Sequence, residues 1–323
     1  MTARVVCVGS AVQEAYLSHS VVFKPVREGH RGDFTEIKLG DKVEVEHVSL
    51  RVGGSGINTA VTFARQGLSV GFAGTIGHDT AGQAVLELLD REGIGRRLVQ
   101  YSRAHHTGYS TVLVAPGGER TILEHPGASA EFDDIDIDTL VKTKPSWVYV
   151  STLHGNFIKL RQLFEACAQA GIKVAFNPGE AELKQPKKLR PLLEDVAILL
   201  VNQAEARQVV TGYTLDELVH HALNLVPSIA ITAGASGAIV SDGQSVVRAG
   251  LYEDVRVVDK TGTGDAFGSG LLAALMSGSD LADAVRFASA NATSVVSMIG
   301  SQSGILSTGI ELGQMPIKET KLR

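Results

Sequence analysis

The sequence predicts an α/β fold: a mostly parallel central sheet with helices on both faces, and a second, smaller β-sheet. Three observations carry this. The run Arg4-Val5-Val6-Cys7-Val8-Gly9 is continuously apolar and closed by glycine, as in a strand covered on both faces. From Trp147 onward, apolar strand-like runs alternate with helical patterns, which is how repeated βα units read. Between them, parts of Ala11 to Val52 and of Tyr109 to His125 alternate polar and apolar residues, as strands with one wet face do.

The elements follow in order. Lys42 to Val45 and Val48 to Val52 read as strands of a half-exposed antiparallel sheet, and Ile57 to Arg65 as a helix stopped by Gly67. Leu68 to Ala73 is a strand. Asp79 caps a helix through Leu89, with Gly93 at its end. Tyr109 to Ala115 and Arg120 to His125 pair as a hairpin across Pro116 to Glu119 and join the earlier half-exposed piece. Then come the strand Trp147 to Val150, the helix Phe157 to Gln169, and the strands Ile172 to Phe176 and Ala197 to Val201. Helices at Ala204 to Val210 and Leu215 to Leu225 precede the strand Ile229 to Ala233 and a hairpin of Ala238 to Val240 with Ser245 to Arg248. Two helices, near Asp265 to Met276 and Leu281 to Met298, complete one domain spanning residues 1–323.

Composition narrows the function. With 44% hydrophobic and 20% charged residues the chain can bury a large core. A net charge of -5 lacks the footprint of a nucleic-acid binder. No apolar run is long enough to span a membrane and the N-terminus enters a strand directly, so a cytoplasmic location is the expectation. Cys7 and Cys167 fall in apolar patterns without metal-ligand spacing and read as buried small hydrophobes.

The most informative stretch is Asp259-Lys260-Thr261-Gly262-Thr263-Gly264-Asp265, which opens an apolar helix with Phe267, Leu271 and Leu275 at helical spacing. Free N–H groups and the helix dipole favour an anion at such a start, and Gly262 and Gly264 let it approach the backbone. A transferring phosphoryl group, with charge on its equatorial oxygens, suits such a place. Asp265 in the first turn is expected to stay ionised under the dipole, and to take the proton of an attacking hydroxyl as the O–P bond forms. A P-loop is absent, and Gly262, Gly264 and Gly268 miss the dinucleotide fingerprint by one residue.

Here the chain resembles the ribokinase-like carbohydrate kinases, the PfkB family, whose C-terminal signature is an Asp-Thr-x-Gly-x-Gly-Asp-like segment opening a helix. Lys260 stands where Thr is usual, and its side chain is expected to point elsewhere. The resemblance runs from Val5 to about Gly304. It implies a ribokinase-like three-layer α/β/α sandwich with a small β-sheet lid, formed by parts of 11–52 and 109–125, and a homodimer through that lid. It implies ATP as donor, Asp265 as base, and Gly262, Thr263 and Gly264 as the anion hole.

Supporting stretches follow the same order. Arg51 to Ala60 resembles the family's N-terminal signature: Gly54 and Ser55 bring the backbone to a polyol, and Asn58 offers a donor and an acceptor. Ser55 stands where ribokinase-type relatives often have Lys. Glu14 is the acidic candidate of the first substrate loop. Asn202 and Glu205 match the family's Asn-x-x-Glu; Asn202 is implied in ATP binding, and Glu205 in holding Mg²⁺ through water. Thr232, Gly234 and Gly237 resemble an ATP-contacting turn, and Asn291 falls where relatives approach adenine. Asp259 and Thr261 match positions that bind K⁺ in some relatives. The primary expectation is a kinase for a small sugar. A nucleoside kinase shares both signatures and needs an apolar surface, for which Phe23, Phe34, Tyr109 and Phe157 are candidates; a non-catalytic sugar- or nucleotide-binding regulatory protein is the third reading.

Overall fold

The computed structural model describes residues 5–18, 23, 26–27, 33–115, 119–252 and 255–322. In chain order come β1 (Val5–Val8), β2 (Val12–Ser18), the short β3 (Val26–Arg27) and β4 (Asp33–Phe34), and β5 (His47–Gly53). Next are α1 (Ser55–Arg65), β6 (Val70–Ile76), α2 (Thr80–Arg91), β7 (Gly95–Tyr101), β8 (Gly108–Val114) and β9 (Arg120–His125). The middle of the chain holds α3 (Ile137–Lys142), β10 (Trp147–Val150), α4 (Phe157–Gln169), β11 (Lys173–Phe176), α5 (Glu180–Leu183) and α6 (Pro186–Leu189). Then follow β12 (Ile198–Asn202), α7 (Gln203–Val209), α8 (Leu215–Ala222), β13 (Ile229–Thr232), β14 (Ala238–Ser241) and β15 (Ser245–Ala249). The last elements are α9 (Thr263–Met276), α10 (Leu281–Val296) and β16 (Ile317–Lys321).

The main sheet has ten strands in the order β16-β15-β14-β13-β12-β11-β10-β1-β6-β7. From β7 to β13 neighbours run parallel, and β14 to β16 continue as antiparallel neighbours. Strand β1 shows why two helical layers form. Its Val5 and Cys7 join a core with residues of α1, α2, α9 and α10, while Val6 and Val8 join another with residues of α3, α4, α7 and α8. All four are fully buried. A fully buried aliphatic side chain is worth about 1.5–3 kcal/mol, so a strand with apolar residues on both faces is stable only between two layers. Cys7 and Cys167 are buried free thiols, each pushed up to about 12 by desolvation.

A second sheet has the order β5-β2-β8-β9. Its register puts Glu14 beside Ser110, Tyr16 beside Val112 and Arg120 beside Val114, all on one face. Leu17 beside Val48 and Leu113, and Thr111 beside Leu123, make the opposite face. This is the expected lid, with two differences. The central pair β2–β8 is parallel, so the sheet is not wholly antiparallel. Residues 42–45 carry no strand: β2 ends its pairing with β5 at Ser18 opposite His47, and Lys42 to Val45 lie beyond that pair. Their alternation marks residues that suit a pleated surface without supplying a neighbour. Of the expected hairpin loop, Pro116 to Gly118 lie outside the described residues. Among the described residues no helix is long and apolar enough to cross a membrane.

Candidate active site

In the main sheet the chain turns outward in opposite directions from β1, to β6 on one side and β10 on the other. Open α/β sheets bind ligands beyond the carboxyl ends of strands near such a reversal. A cleft of about 250 Å³ lies on that edge, lined among others by Asn177, Asn202, Glu205, Thr232, Gly264 and Asp265. Asn177 directly follows β11, and Asn202 and Thr232 end β12 and β13. A larger hollow of about 950 Å³ opens at the amino-terminal edge of β1, β6 and β7, with none of these polar groups, and we assign no chemistry to it.

The glycine-rich segment turns into α9 at Gly262, which has φ 74° and a position where a Cβ would stand 2.6 Å from the Cβ of Ser301. A side chain is therefore excluded twice, by conformation and by space. The first i→i−4 hydrogen bond of α9 runs from Ala266 N to the Gly262 carbonyl at 2.8 Å. The amides of Gly264 and Asp265 come before it, at the helix end where N–H groups lack intrahelical acceptors. At Gly264 a Cβ would meet nothing within 4 Å, so the turn leaves an open space beside these amides.

Asp265 occupies the first turn, as expected, and lines the cleft. Its carboxyl is a weaker acid than a helix start alone would make it. Burial pushes its carboxyl up to about 6, against the hydrogen bond from Asn58, and the Glu205 carboxylate across the cleft adds to the rise. Desolvation of the charge outweighs the helix end. Asn58 Nδ2 donates to Asp265 Oδ2 at 3.0 Å. Asn58 stands in the first turn of α1, whose start is shaped by Gly54 at φ 97° and by Ser55, whose amide donates to Ser10 Oγ at 3.1 Å.

Glu14 projects from the lid into this region and is buried. Desolvation raises its carboxyl to about 7, the Tyr16 hydroxyl donates to Oε2 at 2.9 Å, and the charges of Asp259 and Asp265 raise it further. Asp259 is also buried. Its Oδ1 accepts from Thr261 N at 2.9 Å and Thr261 Oγ1 at 2.6 Å, and its Oδ2 accepts from Gly300 N at 2.9 Å. Arg120 Nε lies 3.8 Å from Asp259 Oδ1. Lys260 Nζ donates to Glu119 Oε1, 2.6 Å away just before β9, and the residue also lines the cleft.

On the other wall, Asn202 and Glu205 form a capping box for α7, Asn202 Oδ1 accepting from Glu205 N at 3.0 Å and Glu205 Oε2 from Asn202 N at 2.8 Å. Both still line the cleft, as does Thr232. Gly234 and Gly237 follow β13 in a tight turn outside the cleft lining. Asn291 corrects the sequence expectation. It is fully buried, donates Nδ2 to the Ala266 carbonyl at 2.8 Å and accepts from Leu306 N at 2.9 Å, so it pins α10 to α9 and is closed to adenine. Of the aromatic candidates, Tyr109 is on the outer face of the lid with Gln13 and His125. Phe157 begins α4, under Lys188 and away from the cleft. Arg120 and Asn177 also line the cleft, outside any motif the sequence offers. A polar residue directly after a buried strand is the signal for Asn177; Arg120 becomes visible only once the lid register is known.

Glu205 faces the cleft across from Asp265, a single carboxylate that fits a hard divalent cation arriving with phosphates and its own waters. Around Asp259 the neighbours are three hydrogen-bond donors and a guanidinium, a poorer fit for a monovalent cation. A model of the pfkB family carbohydrate kinases matches residues 4–308. A ribokinase from Haemophilus influenzae is 28% identical over 278 residues, covering 83% of this chain and 88% of that protein. The structure of Arabidopsis thaliana ribokinase complexed with ribose and ATP superposes with a TM-score of 0.76 at 22% identity, over 95% of this chain and 96% of the other. A Burkholderia thailandensis nucleoside kinase in complex with inosine gives 0.71 at 25% identity, over 93% and 94%.

Proposed function

The chain belongs to the pfkB family of carbohydrate kinases, and from that premise we propose that it transfers the γ-phosphoryl group of ATP to a hydroxyl of a small sugar, with Asp265 as the base. It is a sugar or nucleoside kinase, a phosphotransferase with an alcohol group as acceptor. The observation that carries the finer reading is Asp265 itself: a carboxyl raised to about 6, held by Asn58, in the first turn of a helix whose start lines the cleft.

Asp265 accepts the hydroxyl proton of the acceptor while the acceptor oxygen bonds to the γ-phosphorus and the bridging P–O bond to ADP breaks. A base with a value near 6 is mostly ionised at neutral pH and closer to the working pH than an ordinary Asp, which favours general-base catalysis. The amides of Gly264 and Asp265 meet the equatorial oxygens, with Gly262 and Thr263 shaping the turn. Gly54, Ser55, Asn58 and Glu14 border the acceptor. Asn177, Asn202 and Thr232 border the nucleotide, with the turn at Gly234 and Gly237 beyond them. Mg²⁺ supplies charge neutralisation for the phosphates when bound, and Glu205 would hold it through water. A monovalent cation at Asp259 and Thr261 would share that carboxylate with Arg120, so turnover in K⁺ against Na⁺ at constant ionic strength belongs in the assay. ATP as donor fits a cytoplasmic location, and the lid supports a homodimer.

A nucleoside acceptor is the second reading, favoured by Ile122, which is 42% exposed on the site-facing surface of the lid. One experiment separates the two: Mg·ATP consumption with product mass across pentoses, hexoses, sugar acids, sugar phosphates and nucleosides. Asp265→Asn is expected to lower kcat by about 10²–10⁴-fold with ATP binding kept. Turnover within a few-fold of wild type in that variant would remove Asp265 from its role.

A further inference from the structure

Asn58 reaches Asp265 with the nitrogen of its amide. The two ends of an amide are nearly equal in shape and opposite in hydrogen-bonding sense, so something must decide which end faces the carboxylate. The deciding groups lie beyond α10. Gln302 Nε2 donates to the Val52 carbonyl at 2.9 Å and to Asn58 Oδ1 at 2.9 Å. Ser301 Oγ donates to the same Oδ1, also at 2.9 Å.

A main-chain carbonyl only accepts, so the Gln302 atom against Val52 is its nitrogen. That nitrogen only donates, so the Asn58 atom beside it is the oxygen. Nδ2 is then left for Asp265. Turned over, Asn58 would set its oxygen against a carboxylate oxygen and its nitrogen against a donor. Asn58 and Ser301 are buried, which leaves little water to repair such a mismatch. Val52 stands near the end of β5, so the carbonyl that fixes the sense of the chain belongs to the lid.

We propose that Gln302, assisted by Ser301, is a positioning residue for phosphoryl transfer: it locks the Asn58 amide in the sense that donates to Asp265, and it ties that lock to the lid through the Val52 carbonyl. This rests on Asp265 as the base. The other charged or titratable groups around Asp265 are Glu205 of α7, Glu14 of β2, Tyr149 of β10, Arg120 of β9, and Lys260 and Asp259 before α9. All are retained in the variants below, so a change in the Asp265 titration reports the amide.

The experiment compares Gln302→Met, Ser301→Ala and Ser301→Thr in the wild-type protein, and Gln302→Met again in Asn58→Ala. Readouts are kcat, KM, and the ¹³C carboxyl titration of Asp265, identified by its loss in Asp265→Asn. Gln302→Met is expected to lower kcat about 10–100-fold, as misplacement of a reacting group does, with the KM for ATP within about threefold. Its Asp265 midpoint should rise by about one pH unit, because a donor to the charged form is lost. Ser301→Ala should show a smaller loss and Ser301→Thr should restore activity. In Asn58→Ala the change at 302 should have no further effect on kcat or the midpoint, the signature of two residues acting through one contact. An unmoved midpoint in folded Gln302→Met, or equal losses in both backgrounds, overturns the proposal. If the midpoint moves as stated while wild type phosphorylates no acceptor, the positioning stands and the kinase role of Asp265 falls.

Discussion

Asp265 is pulled two ways, and the outcome can be measured without any substrate. A helix start favours its charge, yet burial dominates and raises it from an ordinary 3.8 to about 6. The folded state therefore holds this proton more tightly than the unfolded chain does. Its contribution to stability is complete below pH 3.8 and is lost as pH rises through about 6. At pH 8 the ionised group is a cost, so Asp265→Asn should melt higher than wild type there, by a margin that shrinks toward pH 5. A margin constant over this range would mean that the carboxyl titrates as an exposed one. Glu14 behaves with the same sign over a window from 4.5 to about 7. Gly264 offers a second test. Its Cβ position is empty in the protein alone, so Gly264→Ala should leave the melting temperature within about 2 °C, as substitutions away from packing do. At the proposed anion site a methyl there would stand in the path of the phosphoryl oxygens, and kcat should fall at least tenfold by loss of those amides. Normal turnover in that variant would place the anion elsewhere.

At the scale of elements, the loops at the carboxyl edge are held by charge buried inside the protein. Glu182 of α5 is fully buried. Its Oε1 accepts from Leu153 N at 2.9 Å and Gly155 N at 2.8 Å, and its Oε2 from Thr152 Oγ1 at 2.8 Å and Gly179 N at 3.0 Å. Four donors on one carboxylate tie the loop after β10 to the loop after β11, which carries Asn177 into the cleft. Glu182→Gln turns one accepting oxygen into a donor facing donors, and should cost about 1–3 kcal/mol in denaturant unfolding. An unchanged midpoint would show that the two loops need no such tie. The same scale explains what the sequence disclosed. Buried strands such as β1 and β10 were legible because they are apolar throughout, and Asp79 capping α2 was legible from its place before an amphipathic run. Strands β7 (Gly-Arg-Arg-Leu-Val-Gln-Tyr) and β16 (Ile-Lys-Glu-Thr-Lys) went unseen. They are the two edges of the main sheet, where charge guards an open ladder and erases the apolar signal. The glycine-rich turn and Asp265 were legible because their chemistry is local. Gln302, Arg120 and the pinning role of Asn291 were not, since each depends on a partner far away in the chain.

For the whole molecule, the two faces of the lid make different demands. One presents Glu14, Tyr16 and Arg120 toward the site. The other presents Val48, Leu50 and Leu123, which are 61%, 64% and 59% exposed. Four strands spaced about 4.8 Å apart, three of seven residues and one of six at about 3.3 Å each, make a face of roughly 400 Å². Size alone does not require a partner, because monomers carry apolar patches of roughly 300–600 Å². The pattern is the stronger argument. On the two central strands the outward residues are Gln13, Ala15 and Leu17 of β2 and Tyr109, Thr111 and Leu113 of β8, without a charge among them. A solvent face normally carries charge at such positions, as β7 and β16 do. In the proposed homodimer a second copy of the lid covers this face. Sedimentation velocity at low micromolar concentration should give a dimer for the wild-type chain and a monomer for Leu50→Glu with Leu123→Glu, whose carboxylates would be buried without partners. Because the same strands carry Glu14 on their inner side, the monomeric variant should bind its acceptor several-fold more weakly while Asp265→Asn still abolishes its turnover. A wild-type chain that sediments as a monomer at these concentrations would leave the outer face to solvent and refute lid-to-lid assembly.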